Sequence, residues 1–291
     1  MDEIRRMKQR LIHIHACRGI GWKTIAKFFE YDRTLEAIYT MGEAELTSVF
    51  SIRSDHASRF YRDLHRLSVS GLFYEYKQRG IKVVTILDDN YPLLLKEIFD
   101  SPWALYCKGD VSIFHHAHML SVVGTRSPSH SGLQALNKLI GPLISQGWGI
   151  VSGLARGIDS AAHRLALKSR TIAVLGSGFD HIYPENERPL ADEIAASHLL
   201  VSEYPPNTEP QPWQFPKRNR IISGLTRGTL VVEAREKSGS LITADQALEQ
   251  GRDVFAVPGS IFDARSVGPN RLIQQGAKLV LSAEDILEEW V

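Results

Sequence analysis

The sequence has few of the residues that build metal centres, disulfide frameworks or membrane spans. Its two cysteines, Cys17 and Cys107, are far apart and lack CxxC spacing. This pattern argues against a zinc site or a disulfide and fits a reducing cytoplasm. No apolar run approaches the ~20 residues that cross a bilayer, so membrane insertion is not expected. No acidic residue or cysteine lies near His115, His116 and His118, which favours a solvated turn over a metal site.

The sequence also lacks a large net charge and the common nucleotide-binding motifs. Because the formal net charge is +1, a nucleic-acid partner would need a local basic patch. There is no GxxxxGK[ST] motif, and Gly176-Ser177-Gly178 supplies only the first pair of a GxGxxG motif, so no cofactor is predicted. No nucleophile is paired with Asp159, Glu203 or Glu233. We therefore predict no catalytic residue and interpret these carboxylates as helix caps or salt-bridge partners.

What is present is organised around the stretch from Leu120 to His163. It reads as a strand, a glycine turn and a helix, followed by the same pattern again. Each turn places backbone N–H groups at a helix N-terminus, where an anion is favoured. Gly124 and Arg126 lie in the first turn, and Gly153 and Gly157 lie in the second. These glycines either make tight βα turns only or, with Arg126, form a phosphate site.

From Leu120 onward, apolar strands alternate with helical patterns, and 43% of the chain is hydrophobic. This alternation predicts an α/β fold: an extended Rossmann-like, mostly parallel, doubly wound sheet. Residues 1–75 look helical and separate, so we expect a small all-helical domain before a second domain at 76–291. Within the first, Gly19-Ile20-Gly21 lies between two helices, as in helix-hairpin-helix units and domains related to the sterile alpha motif. This hairpin either holds a DNA phosphate or only makes a helix–helix turn.

Five loops of the second domain are expected at the carboxyl edge of the sheet, where open α/β folds bind ligands. The loops comprise residues 124–127, 152–157, 176–178, 215–220 and 237–240. The fourth is the most informative, because it packs cations and an amide beside an aromatic ring: Phe215, Lys217, Arg218, Asn219 and Arg220. Basic side chains bind phosphates and an aromatic face stacks on a base, which suits single-stranded nucleic acid. The alternative is a solvated helix start, although cations there oppose the helix dipole.

Several long motifs resemble the DNA-processing protein A family, also called Smf. They occur, together with a short YP pair, in the order SVVGTRSPS, VSGLARGIDSAAH, TIAVLGSG, YP, FPKRNRIISGL, LVVEAREKSGSLITADQALEQGRDVFAVPG and GPNRLIQQGA, within about residues 80–282. The resemblance implies a DNA pocket containing Arg126, Lys217, Arg218 and Arg220. Its floor would be shaped by the glycines of the loops: Gly124, Gly153, Gly157 and Gly239.

The resemblance further implies a cytoplasmic, non-enzymatic mediator that binds single-stranded DNA. Such a protein protects incoming DNA and loads the recombinase RecA onto it during natural transformation. The expected partners are therefore single-stranded DNA, RecA and single-strand-binding protein. A homodimer is also implied, and a helix through Leu272 and Ile273 would suit its two-fold contact.

An enzyme is the alternative, because the lysine-decarboxylase-like nucleotide phosphoribohydrolases share this fold. Their signature is PGGxGTxxE, and the corresponding segment here is Lys237–Ala244. A small or apolar residue replaces the catalytic glutamate, which argues against hydrolysis. Since fold alone does not determine function, this alternative stays open at the level of sequence.

Overall fold

This computed structural model describes residues 2–290, which form two compact units. The first unit runs to Tyr91 and resumes over Asp100–Cys107. The second unit takes Pro92–Phe99 and the chain from Lys108 onward. The domain boundary expected after residue 75 stays a prediction.

The first unit is mainly helical, as its amphipathic patterns predict. Its helices are α1 (Asp2–Ala16), α2 (Trp22–Tyr31), α3 (Glu43–Phe50), α4 (Ser54–Arg66) and α5 (Val69–Gln78). Strand β1 (Ile81–Thr85) follows them, and β2 (Ala104–Gly109) begins in this unit. Helices α1 and α2 flank the predicted hairpin. Its Gly19 has a φ of +89°, and a Cβ there would lie 2.3 Å from the carbonyl oxygen of His56. The hairpin therefore packs closely on α4, whereas a DNA contact stays a prediction.

The second unit contains the alternating strands and helices. The strands are β3 (Met119–Val123), β4 (Gly149–Ser152), β5 (Arg170–Leu175), β6 (Leu199–Ser202), β7 (Gly228–Val231), β8 (Asp253–Ala256) and β9 (Lys278–Leu279). The helices are α6 (Leu93–Lys96), α7 (His130–Ser145), α8 (Ile158–Ala166), α9 (Arg188–Ser197), α10 (Gln214–Gly224), α11 (Gly239–Glu249), α12 (Val267–Gln274) and α13 (Glu284–Leu287). In the sheet these strands lie in the order β6-β5-β4-β3-β7-β8-β9, and each neighbouring pair is parallel. The predicted Rossmann-like fold class is confirmed.

Helices cover both faces of the sheet. The side chains of β3, which point alternately to one face and the other, show this. Leu120 and Val122 point into a core shared with α7, α8 and α13. Ser121 points the other way and donates a hydrogen bond of 2.6 Å to the carbonyl oxygen of Ile222 in α10. Alternate residues of a strand face opposite sides, so helices pack on both. The strand order reverses between β3 and β7, which makes their carboxyl ends the switch point of the sheet.

One element begins earlier than its sequence suggests. The helical pattern predicts a helix from about Arg218, but α10 begins at Gln214. Pro216 fits in this first turn, because the backbone N–H that proline lacks has no intrahelical partner there. The segment 215–220 is therefore helical, and its side chains point in different directions around the helix.

Candidate functional site

A cleft of about 570 Å³ lies at the switch point of the sheet. It is lined by the turns that follow β3 and β7 and by the first turns of α8, α10 and α11. Among the residues predicted for the site, those that line it are Gly124, Arg126, Phe215, Arg218, Asn219 and Gly239. Residues from most of the predicted loops therefore meet at one place, as parallel strands require.

The N-terminus of α7, after the first glycine turn, is already occupied by a carboxylate of the chain. Glu233 accepts a hydrogen bond of 2.9 Å from the backbone N–H of Ser129 and another from its hydroxyl. A Cβ at Gly132 would lie 2.5 Å from this carboxyl carbon, so the glycine makes room for it. The helix start therefore binds Glu233 where the sequence suggested an anionic ligand. The interpretation of Glu233 as a helix cap is confirmed.

A second carboxylate occupies the turn after β4. Asp159 is buried and accepts a hydrogen bond of 3.2 Å from the backbone N–H of Gly153. Burial raises the pKa of Asp159, and the nearby guanidinium of Arg218 and backbone N–H groups oppose that shift. Gly157 has a φ of +86°, and a Cβ there would lie 2.3 Å from the carbonyl oxygen of Thr125. The two glycine turns therefore pack backbone against backbone.

Arg218 lies beneath the cleft, where it holds the ends of two strands together. Its Nη1 donates hydrogen bonds of 2.6 Å to the carbonyl oxygen of Gly153 and 2.5 Å to that of Val174. Only 6% of the residue is exposed, and burial lowers its pKa to about 10, with Asp159 opposing the shift. It remains a cation at neutral pH. Its Nε has no hydrogen-bond partner within residues 2–290.

The other two cations of this segment, Lys217 and Arg220, do not line the cleft. Arg220 is buried, and its Nη2 lies 2.7 Å from an oxygen of the buried Glu203. The Nζ of Lys217 lies 3.9 Å from the second oxygen of the same carboxylate. The expected salt-bridge role of Glu203 is confirmed. The helix directs Lys217 and Arg220 toward Glu203 and Arg218 toward the cleft.

The start of α11 remains open on the cleft. A Cβ at Gly239 would have no atom within 4 Å, and the first turn of the helix carries no acidic residue. Ser238 caps the helix by accepting a hydrogen bond of 3.3 Å from the backbone N–H of Ser240. The carbonyl oxygen of Gly239 accepts one of 3.2 Å from the amide of Asn219. Unlike the start of α7, this helix start is not filled by a carboxylate of residues 2–290.

An aromatic wall stands beside these polar groups. The Phe215 ring covers Gly176, where a Cβ would lie 2.8 Å from the ring. Tyr183, which is not among the predicted site residues, lines the cleft, and its ring centroid lies 5.4 Å from that of Phe215. The Tyr-Pro pair at 183–184 in the sequence could have indicated it. The cleft also contains Arg235 and Lys237, whose side chains are exposed.

The predicted dimer residues lie in α12. Leu272 is only 3% exposed, whereas Ile273 is partly exposed. Leu272 therefore packs mainly inside its own unit, and the interface assigned to the pair stays a prediction. In the loop before α12, Ile261 is 80% exposed and Phe262 is 94% exposed.

Within residues 2–290, no group of histidine, cysteine, aspartate and glutamate side chains is arranged to hold a metal ion. Over the same residues, no helix has the length and apolar character that crossing a membrane requires.

The chain is similar to known DNA processing proteins. Residues 82–291 match the family model for DNA recombination-mediator protein A. The chain is 51% identical over 233 residues to DNA processing protein DprA of Bacillus subtilis, covering 79% of this chain and 77% of the relative. It is 50% identical over 274 residues to DprA of Streptococcus pneumoniae, covering 94% of each chain.

Solved structures show the same likeness. The X-ray structure of DprA from Streptococcus pneumoniae matches with a TM-score of 0.82 and 40% identity, over 97% of this chain and 96% of that one. DNA processing protein A from Helicobacter pylori matches with a TM-score of 0.66 and 30% identity, over 72% of this chain and 94% of that one. That structure concerns a single-stranded DNA binding mode.

Proposed function

Because the chain belongs to the DNA recombination-mediator protein A family, we propose that it binds single-stranded DNA in the cleft at the carboxyl ends of β3 and β7. The observation that carries this proposal is the pairing of an open helix start with exposed cations and aromatic rings in one cleft. Arg126, Arg235 and Lys237 supply exposed positive charge, and the start of α11 supplies backbone N–H groups. Phe215 and Tyr183 supply ring surfaces for bases.

The occupied helix starts determine where a phosphate can bind. Glu233 and Asp159 fill the turns before α7 and α8, and a phosphate there would meet a carboxylate at hydrogen-bond distance. Like charges in one site repel, so we place the phosphate at Ser238–Ser240 and Arg126. This arrangement accounts for Gly239, where the open space allows a ligand to approach the backbone.

The remaining predicted residues shape the cleft in this proposal. Gly124, Gly153 and Gly157 allow the close packing of its floor. Arg218 presents a buried positive charge from below, and Asn219 orients the carbonyl group of Gly239. A direct contact of Lys217 or Arg220 with DNA stays a prediction, because Glu203 lies close to both.

Beyond DNA binding, we propose the mediator role that the family resemblance implies. The chain would protect incoming single strands in the cytoplasm, work beside single-strand-binding protein, and load RecA as a homodimer during natural transformation. No catalytic step is part of this role. The α11 residues that line the cleft are Gly239, Ser240 and Thr243, so this helix brings no carboxylate into the cleft to support a phosphoribohydrolase.

Fluorescence anisotropy with labelled oligonucleotides tests the binding site. Arg126→Ala and Lys237→Ala should each weaken single-strand binding at low salt. Each should also flatten the log–log salt dependence by ~0.7, because one phosphate contact fewer releases fewer counterions. Arg227→Ala is the matched control, since this exposed arginine precedes β7 at the opposite edge of the sheet. If all three variants lost affinity to the same extent, the loss would be an effect of the lower net positive charge and not of a contact in the cleft.

Two results would contradict the proposal. Wild-type affinity and salt slope in both cleft variants would exclude the phosphate site at Arg126 and α11. Release of free base from nucleoside monophosphates would favour the phosphoribohydrolase instead. The mediator role has its own assay: the wild type should allow RecA to displace single-strand-binding protein from DNA, and Arg126→Ala should do so poorly.

A further inference from the structure

Trp213 is a large, exposed ring, one residue after the cleft-lining Pro212, that the DNA-binding proposal does not use. Its exposed fraction is 60%, and it precedes the first residue of α10. Its sequence neighbours Pro212 and Phe215 both line the cleft. Tyr183, whose ring contacts that of Phe215, is 50% exposed. Aromatic rings therefore lie in the cleft, and a further exposed ring lies two residues before Phe215 in the chain.

The indole is anchored, although it is exposed. Its ring centroid lies 6.2 Å from that of Tyr204, and the two planes are nearly perpendicular at 82°. Tyr204 is buried, so this edge contact ties Trp213 to the body of the second unit. A tryptophan has ~150–250 Å² of surface to bury, and here most of that hydrophobic surface remains in water. A single exposed apolar residue is ordinary, but this one continues a cationic cleft lined with rings.

The spacing suits a chain of bases. Trp213 and Phe215 are two residues apart, so their Cα atoms are separated by at most ~7 Å. The rings can therefore contact different nucleotides of one strand while the phosphates lie at Arg126 and α11. Stacking on a ring tolerates any base, because every base has a π face.

We infer that Trp213 is a second base-stacking platform, outside the cleft, that selects a continuous single strand over mononucleotides and duplex. This inference rests on the proposed single-strand binding and assigns the residue that gives its selectivity. A mononucleotide in the cleft cannot also reach Trp213, so it gains nothing from the ring. In a duplex the bases are stacked on one another and their faces are not available to the indole.

The test compares Trp213→Ala and Trp213→Phe with the wild type on oligothymidylates of increasing length. The alanine variant should bind the longer oligonucleotides about 5- to 150-fold more weakly, the usual effect of losing one stacked base. The shortest oligonucleotide should bind with unchanged affinity. The salt dependence of binding should also stay the same, since no cation is removed. Trp213→Phe keeps a ring and should recover most of the affinity. Tyr74→Ala is the control, because this ring is 66% exposed on α5 of the first unit.

Fluorescence provides a second readout in the intact protein. Saturating oligothymidylate should quench the tryptophan emission of the wild type, and Trp213→Phe should lose that quenching. If the wild type binds single strands and Trp213→Ala binds oligonucleotides of every length with wild-type affinity, the platform is excluded and the proposed function stands. Retained DNA affinity with lost RecA loading would also overturn the platform and assign Trp213 to a protein contact. If the wild type binds no single-stranded DNA, the proposed function itself fails.

Discussion

The buried pair of Arg220 and Glu203 allows a quantitative test of whether Arg220 supports the fold or contacts DNA. Side-chain exposure is 4% for Arg220 and 6% for Glu203, and their nearest atoms are 2.7 Å apart. Glu203→Gln removes the negative charge and leaves the guanidinium in the interior with a neutral neighbour. Breaking a buried pair in this way usually costs ~3–5 kcal/mol, because the remaining charge is desolvated without compensation. When Arg220 is removed instead, Lys217 compensates the remaining carboxylate only a little, as it is partly exposed and 3.9 Å from it.

Urea unfolding of a double-mutant cycle measures this cost. Glu203→Gln and Arg220→Met should each lower the free energy of unfolding by ~3–5 kcal/mol. The double variant should recover much of the loss, since it leaves neither charge unpaired, and the coupling energy should reach at least ~2 kcal/mol. Single losses below ~1 kcal/mol, or strictly additive losses, would refute the reasoning. The folded double variant should also keep the wild-type salt slope for single-stranded DNA, whereas a slope flatter by ~0.7 would identify Arg220 as a phosphate contact.

Three further predictions concern pH, packing and assembly. Burial lowers the pKa of His163 to about 3, so the unfolded chain binds a proton that the folded chain excludes as pH falls below ~6.5. Stability should therefore drop by up to ~1.4 kcal/mol per pH unit between about pH 6 and 3.5, and His163→Gln should flatten this decline in unfolding experiments. Gly153→Ala would place a methyl group 2.0 Å from a buried guanidinium nitrogen and should cost ~1–3 kcal/mol in thermal melts. Gly239→Ala, with no atom within 4 Å of the new methyl, is its control and should melt nearly like the wild type. Replacing the exposed Ile261 and Phe262 with glutamate should give a folded monomer by light scattering, and a persistent dimer would place the contact elsewhere.

The sequence by itself determined the fold class and the edge of the sheet that carries the site. The buried strands are nearly continuous apolar runs, as at Leu199–Ser202, and glycine turns and helices of ordinary length separate them. Such runs with helical crossovers form a parallel sheet, in which all carboxyl ends meet at one edge. Since Arg126 and Phe215 lie near those ends, local patterns were sufficient to predict that they share a cleft.

Only the tertiary structure decided what each charged residue does at that edge. The three cations of α10 lie within four residues of sequence, yet the helix turns them toward different surroundings: Lys217 and Arg220 toward Glu203, and Arg218 toward the cleft. Glu233 reaches the start of α7 across a separation of 104 residues. Local sequence records a side chain's charge and helical phase, but burial and ion pairing depend on partners that the folded chain brings close from distant positions. For this reason the sequence predicted a cationic site, and the tertiary structure determined which cations line the cleft and which helix start is open.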